Sequence, residues 1–289
     1  MKRFLTLLMT VVAVAAMGWS QDLELAPFKG NARGAVSYTF DDGLVEHYTM
    51  VLPRLDSLDI KATFWIIADN IDTRKPMCDH LPMTWAQVQD VAAHGHELGS
   101  HGYRHIALNE ITPPEIDREI EQNDSAIYAH TGIHPVSFCF PGNGRPDWVI
   151  KQVLAHRGIT GARTWEQGMG GGATAGWMDS WATDAMERGE WRVAMIHGIT
   201  HGWDAFNNPE ELWRHLEHVA KMRDEGKLWI ATFEEVTAYQ KGLSETATYK
   251  LPRKPRRVTQ NGHRLKAYQS WDGTWCVDAH RDAKIKVKY

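Results

Sequence analysis

The chain has 289 residues, of which 43% are hydrophobic and 24% are charged, and its formal net charge is −4. Proportions of this kind belong to globular proteins and exclude a collagen-like or a disordered chain. The negative net charge also argues against a nucleic-acid-binding protein, because such proteins normally carry a basic surplus that neutralises phosphates.

The N-terminal residues have the pattern of a secretory signal peptide. Lys2 and Arg3 give a positive start, an apolar run follows over residues 4–17, and small residues occupy positions 16, 18 and 20. The apolar run is shorter than the roughly 20 residues of a membrane-spanning helix, so we predict a cleaved signal over residues 1–20. The expected mature protein begins near Gln21, has no transmembrane segment and is secreted or periplasmic.

Short runs of β-prone residues alternate with segments of helical spacing in the middle of the chain. The predicted strands are 35–40, 61–67, 97–100, 135–140, 192–196 and 228–232. The predicted helices are 48–58, 85–94, 114–130, 147–157 and 209–225. Such alternation indicates parallel strands joined by helical crossovers, in an open sheet or a closed barrel. We favour an α/β fold, a distorted (β/α) barrel of about seven parallel strands, in which the chemistry lies where strands end.

The C-terminal residues differ from the rest in charge. Residues 1–243 have a balance of −11 between basic and acidic side chains, whereas residues 244–289 have a balance of +7. Residues 246–257, which include a run rich in proline and arginine, are interpreted as a basic linker. Asn261-Gly262 and Asp272-Gly273 supply the positive φ angles that tight hairpins need. Residues 258–289 are therefore predicted to form a small antiparallel β appendage.

Two groups of polar residues in the predicted barrel indicate a catalytic metal site. Asp41 and Asp42 follow the first predicted strand, and adjacent carboxylates held close together usually have a cation beside them. His101 and His105 are spaced so that both ring nitrogens can reach one zinc ion. One carboxylate and two imidazoles leave positions open for water and substrate. The same donors serve non-haem iron oxygenases, whose usual double-stranded β scaffold does not suit this alternation.

The ordered combination of motifs resembles the polysaccharide deacetylase family, also called the NodB-homology domain or carbohydrate esterase family 4. The matching segments are 39–43, 61–65, 95–101 with His105, 138–142 and 195–197. The resemblance covers roughly residues 33–240 and implies a catalytic domain over residues 21–245. It also implies that Asp42, His101 and His105 hold one divalent metal ion, with zinc the first choice and cobalt or nickel as alternatives.

The resemblance further implies how the acetyl group is removed. Asp41 would act as the general base that takes a proton when metal-bound water attacks the carbonyl, and His197 as the general acid that protonates the leaving group. The backbone N–H of Gly142, after Pro141, would bind the oxyanion. Trp203 lies shortly after His197 in the sequence, where its ring can stack on a sugar.

The sequence departs from the family pattern at two points. Many members carry an arginine that pairs with the base carboxylate, and this chain has Cys139 there instead. Either Arg145 or Arg163 reaches Asp41, or Asp41 lacks such a partner. The acid that orients the histidine general acid in the family is also not evident. The candidates are Asp179, Asp184 and Asp204.

The expected activity is that of a secreted metal-dependent hydrolase that removes N- or O-linked acetyl groups from a polysaccharide. No Gly-x-Ser-x-Gly elbow occurs in the sequence, which argues against a serine esterase. Two alternatives stay open: a related amide hydrolase that acts on a small cyclic substrate, and a catalytically impaired carbohydrate-binding protein, which Cys139 makes credible. The expected partner is an acetylated polysaccharide or oligosaccharide and not a nucleic acid, and no expectation for the oligomeric state follows from the sequence.

Overall fold

The computed structural model of the protein describes residues 23–73 and 81–289. The predicted signal peptide, residues 1–20, and Cys78 lie outside the described residues. Among the helices of the described ranges, none combines the length and the apolar character that crossing a membrane requires.

A parallel sheet forms the centre of the fold. Its strands are β2 (Gly34–Phe40), β3 (Thr63–Ile66), β4 (Glu97–Ser100), β5 (Ser137–Cys139), β6 (Gly161–Arg163), β7 (Gln167–Gly168), β8 (Trp191–Ile196) and β9 (Leu228–Ile230); the short β1 (Glu24–Leu25) precedes them outside this sheet. The order is β6-β5-β4-β3-β2-β8-β7, with β9 paired to the beginning of β2, and every pairing is parallel. The sheet curls into a half-barrel, which confirms the predicted fold class.

Seven α-helices connect or follow these strands in the described ranges. They are α1 (Leu52–Ser57), α2 (Trp85–Ala93), α3 (Pro113–Thr131), α4 (Asp147–Ala155), α5 (Ala175–Arg188), α6 (Glu210–Asp224) and α7 (Phe233–Gln240), with a π-helical turn, His47–Val51, directly before α1. The sequence interpretation missed α5, α7, β6 and β7. For α7 a signal was present, because Thr232 and Glu235 form a capping box at its N-terminus.

The central strand β2 is buried along its whole length, as expected for a parallel strand covered on both faces. Its alternate residues Val36, Tyr38 and Phe40 belong to the largest apolar core, together with side chains of the surrounding helices. Thr39, on the other face, donates a hydrogen bond to the carbonyl oxygen of Ala194. The strand is therefore firmly held, and its C-terminal end is a rigid support for the residues that follow.

Glu97 ties the interior of the half-barrel to helix α7. Its buried carboxyl group accepts hydrogen bonds from the Thr63 and Ser137 hydroxyls and from the backbone N–H of Glu234. Burial, the largest influence, raises the pKa of Glu97 to about 7. The native protein thus keeps a proton on Glu97 at pH values where the unfolded chain has released it.

This proton makes stability depend on pH in a defined direction. As pH rises from about 4.5 to about 7, unfolding releases the Glu97 proton, so the free energy of unfolding should fall by roughly 3 kcal/mol. The substitution Glu97→Gln should remove this contribution. Urea unfolding of both proteins at several pH values measures it, and identical pH dependence in the two proteins would show that Glu97 is ionised in the native state.

The C-terminal residues form two small antiparallel sheets. Their strands are β10 (Thr246–Leu251), β11 (Arg257–Gln260), β12 (His263–Leu265), β13 (Ala267–Gln269), β14 (Trp275–His280) and β15 (Ile285–Lys288). The sheet orders are β1-β10-β14-β13 and β12-β11-β15. The predicted antiparallel appendage is therefore present. The linker prediction for residues 246–257 is wrong over 246–251, because Ala247 and Leu251 are buried and this stretch pairs with both β1 and β14.

The appendage packs on the main domain through specific hydrogen bonds. The Tyr239 hydroxyl, at the end of α7, donates to the carbonyl oxygen of Ala26 and accepts from the backbone N–H of Thr248. The Trp271 indole donates to the carbonyl oxygen of Asn31 at 2.9 Å. Asn31 lies just before β2, so the appendage is attached near the N-terminal end of the central strand.

Candidate metal centre and active site

The site lies at the C-terminal edge of the parallel sheet. Asp41 and Asp42 follow β2 directly, and a hydrogen bond of 2.9 Å from the backbone N–H of Asp41 to the carbonyl oxygen of Ile196 continues the pairing with β8. Asp42 and Gly43 then adopt left-handed backbone conformations, with φ of 76° and 65°. Aspartate and glycine both tolerate this region. The turn holds both carboxylates in the interior, where both residues are buried.

The three predicted metal ligands come together at this edge. Oδ1 of Asp42 lies 3.3 Å from Nε2 of His101 and 3.4 Å from Nε2 of His105. One ligand atom from each residue lies within 4.8 Å of the other two. Oδ1 of Asp42 is buried and accepts no hydrogen bond within the described residues. A buried carboxylate oxygen without a donor, facing two imidazoles, is the environment that a cation would satisfy.

The separations fit a tetrahedral divalent ion. Ligands held about 2.0–2.1 Å from a zinc ion at the corners of a tetrahedron lie about 3.3–3.4 Å apart, which matches the two measured distances. Burial by itself would raise the pKa of Asp42, but the neighbouring His101 imidazole, and then the charge of His105, lower it to about 2. Asp42 is therefore an anionic ligand at neutral pH. Nδ1 of His101 lies 3.0 Å from the Cys139 carbonyl oxygen, so a proton there leaves Nε2 free to coordinate.

A second group of possible donors overlaps the first. Asp41, His101 and Cys139 also bring one ligand atom each within 4.8 Å. Burial raises the pKa of the Cys139 thiol above its ordinary value, so the thiolate that binds metals well is disfavoured. Asp41 is also already paired with an arginine. The donor set of Asp42, His101 and His105 is therefore the better one.

Arg163 is the arginine that reaches Asp41. Its Nη1 donates to Oδ1 of Asp41 at 2.7 Å and to the Thr39 hydroxyl at 2.6 Å, and its Nη2 donates to Oδ2 of Asp41. Arg163 is 1% exposed. Arg145, the other candidate, instead contacts Glu166 at 2.8 Å.

The position of Arg163 explains how Cys139 is accommodated. Cys139 and Arg163 are direct register partners on the neighbouring strands β5 and β6. The guanidinium thus comes from the strand beside the one on which the family pattern predicts it, and the thiol of Cys139 lies 3.7 Å from Oδ2 of Asp41. Burial alone would raise the pKa of Asp41, but Arg163 holds it below its ordinary value, so the carboxylate is ionised.

His197 follows β8 and faces Asp41. Its Nε2 lies 3.7 Å from Oδ2 of Asp41, and its side chain is 14% exposed, so it is accessible from the open edge. Nδ1 of His197 is buried and has no hydrogen-bond partner among the described residues. The structure therefore brings His197 to the site without the orienting acid that the family pattern suggests.

None of the three candidate acids is hydrogen-bonded to the His197 ring in the described part of the chain. Asp179 accepts a hydrogen bond from Nδ1–H of His215 at 2.7 Å. Asp184 lies 3.5 Å from an arginine on β8. Asp204 lies on the exposed loop after β8. The segment that begins at His197 is instead held in place by hydrogen bonds to its backbone atoms.

Two residues that the sequence interpretation missed hold that backbone. Nε2 of His47 lies 2.8 Å from the carbonyl oxygen of His197. The Glu46 carboxylate accepts from the backbone N–H groups of Ile199 and Thr200 at 2.9 and 3.0 Å. Both residues follow the Asp41-Asp42 turn closely, and this proximity in the sequence was the available signal.

The predicted substrate-binding residues lie on loops at the same edge. Pro141 is buried, and Gly142 is exposed with a left-handed φ of 59°. Trp203, in the loop after His197, is 64% exposed. Its carbonyl oxygen accepts from the backbone N–H of Gly198 at 3.2 Å. The indole ring is thus available for contact with a ligand.

Comparison with known proteins shows similarity to one protein family. A family model described as polysaccharide deacetylase matches residues 29–162. This segment contains Asp41, Asp42, His101 and His105, while His197 lies beyond it.

Curated relatives match over parts of the chain. A bifunctional xylanase/deacetylase of Pseudobutyrivibrio xylanivorans is 28% identical over 130 residues, 43% of this chain and 19% of that protein. The putative polysaccharide deacetylase YxkH of Bacillus subtilis is 33% identical over 98 residues, 34% of this chain and 33% of that protein. The peptidoglycan-N-acetylglucosamine deacetylase PgdA of Listeria monocytogenes is 28% identical over 139 residues, 47% of this chain and 26% of that protein. The matches thus span a third or less of the length of these relatives.

Solved structures share the fold over most of their length. A putative polysaccharide deacetylase from Mycobacterium smegmatis superposes with a TM-score of 0.61 at 15% identity, covering 81% of this chain and 99% of that one. A family 4 acetyl xylan esterase from Clostridium thermocellum, solved with a cobalt ion, gives a TM-score of 0.51 at 20% identity, covering 73% and 93%. The likeness to these structures concerns the fold, and the match to the polysaccharide deacetylase model covers residues 29–162, a little under half of the chain.

Proposed function

We propose that the protein is a metal-dependent hydrolase that removes N- or O-linked acetyl groups from a polysaccharide. One observation carries this proposal: the three converging donors of Asp42, His101 and His105 lie beside an ionised carboxylate, Asp41, and an accessible imidazole, His197. This arrangement supplies a metal site, a base and an acid around one point. Water, a base and an acid are the components that hydrolysis of an amide or ester by direct water attack requires.

The donor set determines where the cation would bind. Asp42 would contribute one carboxylate oxygen, and His101 and His105 would contribute their Nε2 atoms, leaving further positions open. A divalent ion held there supplies Lewis-acid polarisation of the acetyl carbonyl and lowers the pKa of a bound water. Zinc is our first choice for this ion, with cobalt or nickel as alternatives.

Asp41 is the proposed general base. Its Oδ2 lies 4.0 Å from Nε2 of His101, so it borders the metal centre without belonging to the preferred donor set. The bidentate contact with Arg163 holds the carboxylate in one orientation and keeps it ionised, ready to accept a proton from the attacking water. The backbone N–H of Gly142 is the proposed donor to the oxyanion.

His197 is the proposed general acid. A protonated imidazole at this position can deliver a proton to a departing amine or alkoxide. The hydrogen bonds that the Glu46 carboxylate accepts from the backbone of this loop, and the contact of His47 with the His197 carbonyl oxygen, restrict where the ring can go. No described residue forms a hydrogen bond with Nδ1 of His197. The contacts that hold the backbone of this loop therefore orient the imidazole ring, a role that a carboxylate partner would otherwise perform.

The substrate class rests on the family and on the open edge of the site. The relatives named above include a xylanase/deacetylase and a peptidoglycan-N-acetylglucosamine deacetylase, which supports an acetylated polysaccharide or oligosaccharide as substrate. The exposed ring of Trp203 beside the His197 loop is suited to stacking on a sugar. The signal-like leader over residues 1–20 supports action outside the cytoplasm, in the periplasm or after secretion.

Removal and return of the metal test the proposal. We expect acetate release from acetylated chitooligosaccharides or acetylated xylan to fall at least about 100-fold after chelation, because the cation provides several kcal/mol of charge stabilisation. Zinc or cobalt should restore it. Asp42→Asn should weaken zinc binding in calorimetry, whereas the exposed-site control Asp69→Asn should not.

Two outcomes would contradict the proposal. Undiminished acetate release by metal-free protein would refute metal dependence. Hydrolysis of a small cyclic amide, with no release from any acetylated saccharide, would favour the related amide hydrolase instead.

A further inference from the structure

The cations of the appendage are concentrated on one face of the β12-β11-β15 sheet. Arg257 lies directly opposite Lys288, and Thr259 lies between Lys286 on one neighbouring strand and Arg264 on the other. Residues directly opposite each other in antiparallel strands project from the same face. We call the face formed by Arg257, Arg264, Lys286 and Lys288 around Thr259 the basic face.

The two faces of this sheet differ sharply in composition. Val258, Leu265, Ile285 and Val287 belong to the apolar core of the appendage, on the face away from the cations. The four cations of the basic face are exposed, and none of them forms an ion pair within residues 23–73 and 81–289. The basic face is therefore an unneutralised surface.

This arrangement is unfavourable for the sheet itself. Like charges directly opposite each other on neighbouring strands are destabilising, and Arg257 faces Lys288. The four acidic residues of the C-terminal segment lie outside β11, β12 and β15. They are Glu245, Asp272, Asp278 and Asp282. A surface that repels itself and has no acidic neighbours on its strands is suited to an anionic ligand that neutralises it.

A cleft beside the basic face shares Arg257 and Arg264 with it and adds an aromatic side chain. It has a volume of about 500 Å³, and its charged and aromatic lining is Lys254, Arg256, Arg257, Arg264, Lys266 and Trp275. Nζ of Lys254 lies 5.4 Å from the centre of the Trp275 ring. The Trp275 indole N–H makes no hydrogen bond to any described residue, so it can donate to a ligand. The cleft thus offers both an apolar ring and an array of cations.

We propose that the cleft and the basic face bind an acidic polysaccharide, a glycan that carries carboxylates on its rings. Tryptophan can stack on the apolar face of a sugar ring while neighbouring arginines and lysines contact the ring carboxylates, in the case of arginine with two parallel hydrogen bonds. The choice of a polysaccharide among polyanions rests on the proposed function. The anionic character of the ligand rests on the basic face alone.

Two other polyanions fit the surface less well. A single polymer strand can contact the basic face and enter the cleft, whereas the plane of a bilayer can meet the exposed cations but cannot stack on the Trp275 ring that lines the cleft. Nucleic acid has a high density of phosphates, and residues 1–243, with their balance of −11, repel such a polymer beyond the cleft. A glycan with no more than one carboxylate on each ring has a lower charge density and meets less of this repulsion.

The cleft is remote from the proposed catalytic residues. The appendage is attached at Asn31, before the N-terminal end of β2, and Asp41 follows its C-terminal end. Seven strand residues at about 3.3 Å each separate these ends by roughly 20 Å. The cleft would therefore hold one part of a polymer while a distant unit reacts, so that binding and catalysis can be measured separately.

The test compares two variants that lose the same number of charges. The first replaces the basic face, and the second replaces exposed cations of the main domain that form no ion pair within the described residues. The first variant is Arg257→Gln/Arg264→Gln/Lys286→Gln/Lys288→Gln. The second is Lys151→Gln/Arg157→Gln/Arg188→Gln/Lys221→Gln. Calorimetry with polygalacturonate at low salt should show affinity weakened about tenfold or more in the first variant, because the lost contacts are charge-assisted. The second variant should bind nearly as the unsubstituted protein does.

Further measurements exclude a folding defect and other ligands. The first variant should unfold at the same or a higher temperature, since it loses a repulsive pair, and its acetate release from short oligosaccharides should be unchanged. Equal loss of binding in both variants would refute the basic face as the site. Equal or tighter binding of neutral xylan, double-stranded DNA or phosphatidylglycerol vesicles would refute an acidic glycan as its ligand. If neither the unsubstituted protein nor the two variants release acetate, the proposed function is contradicted. The comparison of polygalacturonate binding between the variants would still test the basic face.

Discussion

Asp41→Asn is expected to slow acetate release by about 10²- to 10⁴-fold, the usual contribution of a positioned general base. Asparagine keeps the size of the side chain and can still accept a hydrogen bond from Arg163, but it cannot take a proton from water. Zinc affinity should be largely retained, because the preferred donor set consists of Asp42, His101 and His105. The loss should therefore appear in the rate and not in metal binding.

The control for this prediction is a carboxylate outside the site. Asp69→Asn makes the same carboxylate-to-amide change at an exposed residue. It should leave the rate of acetate release near that of the unsubstituted protein. Rates are compared on zinc-saturated proteins, with zinc affinity measured by calorimetry on each. An Asp41→Asn protein that stays within a few fold of full activity would show that another group is the base.

Arg163→Met is expected to lower the free energy of unfolding by about 3–5 kcal/mol, the usual cost of leaving one member of a buried ion pair alone. Arg163 and Asp41 are both almost fully buried, at 1% exposure each. Burial would then act on the Asp41 carboxylate without the opposing guanidinium, which raises its pKa. Urea unfolding with a two-state analysis measures the change.

Arg145→Met provides the matched control. The Arg145 side chain is 22% exposed in its contact with Glu166, so its removal should cost less than the removal of the fully buried Arg163. The double variant Asp41→Asn/Arg163→Met should be more stable than the sum of the single changes implies, because an uncharged side chain needs no guanidinium. Equal losses for Arg163→Met and Arg145→Met would show that the buried pair contributes little.

The fold and the metal donors were largely predictable because their signals are local. The alternation of β-prone and helical segments follows from periodicity, and parallel strands bring residues after different strands to one edge. This is why Asp42, His101 and His105, distant in sequence, were recognised together. The helix α7 carried a capping signal at Thr232 that was overlooked.

The contacts around Asp41 and His197 were not predictable in the same way. Arg163 belongs to a strand of three residues with no β-branched side chain, and nothing local indicates that the curled sheet brings β6 to the end of β2. From the sequence alone, Cys139 indicates that Asp41 has lost its cationic partner. The pairing of Cys139 on β5 with Arg163 on β6 shows that the cation comes from the neighbouring strand. The clamp on the His197 backbone by Glu46 and His47 depends equally on tertiary packing.

The pairing of β1 with β10 has a practical consequence for protein engineering. Shortening the chain at residue 245 would strip β1 of its only partner strand in the described fold and leave the Tyr239 hydroxyl without the Thr248 N–H. A fragment trimmed at that boundary would expose unsatisfied backbone and apolar surface, which invites self-association. Expression vectors for this protein should therefore encode its last strands along with the parallel-sheet domain.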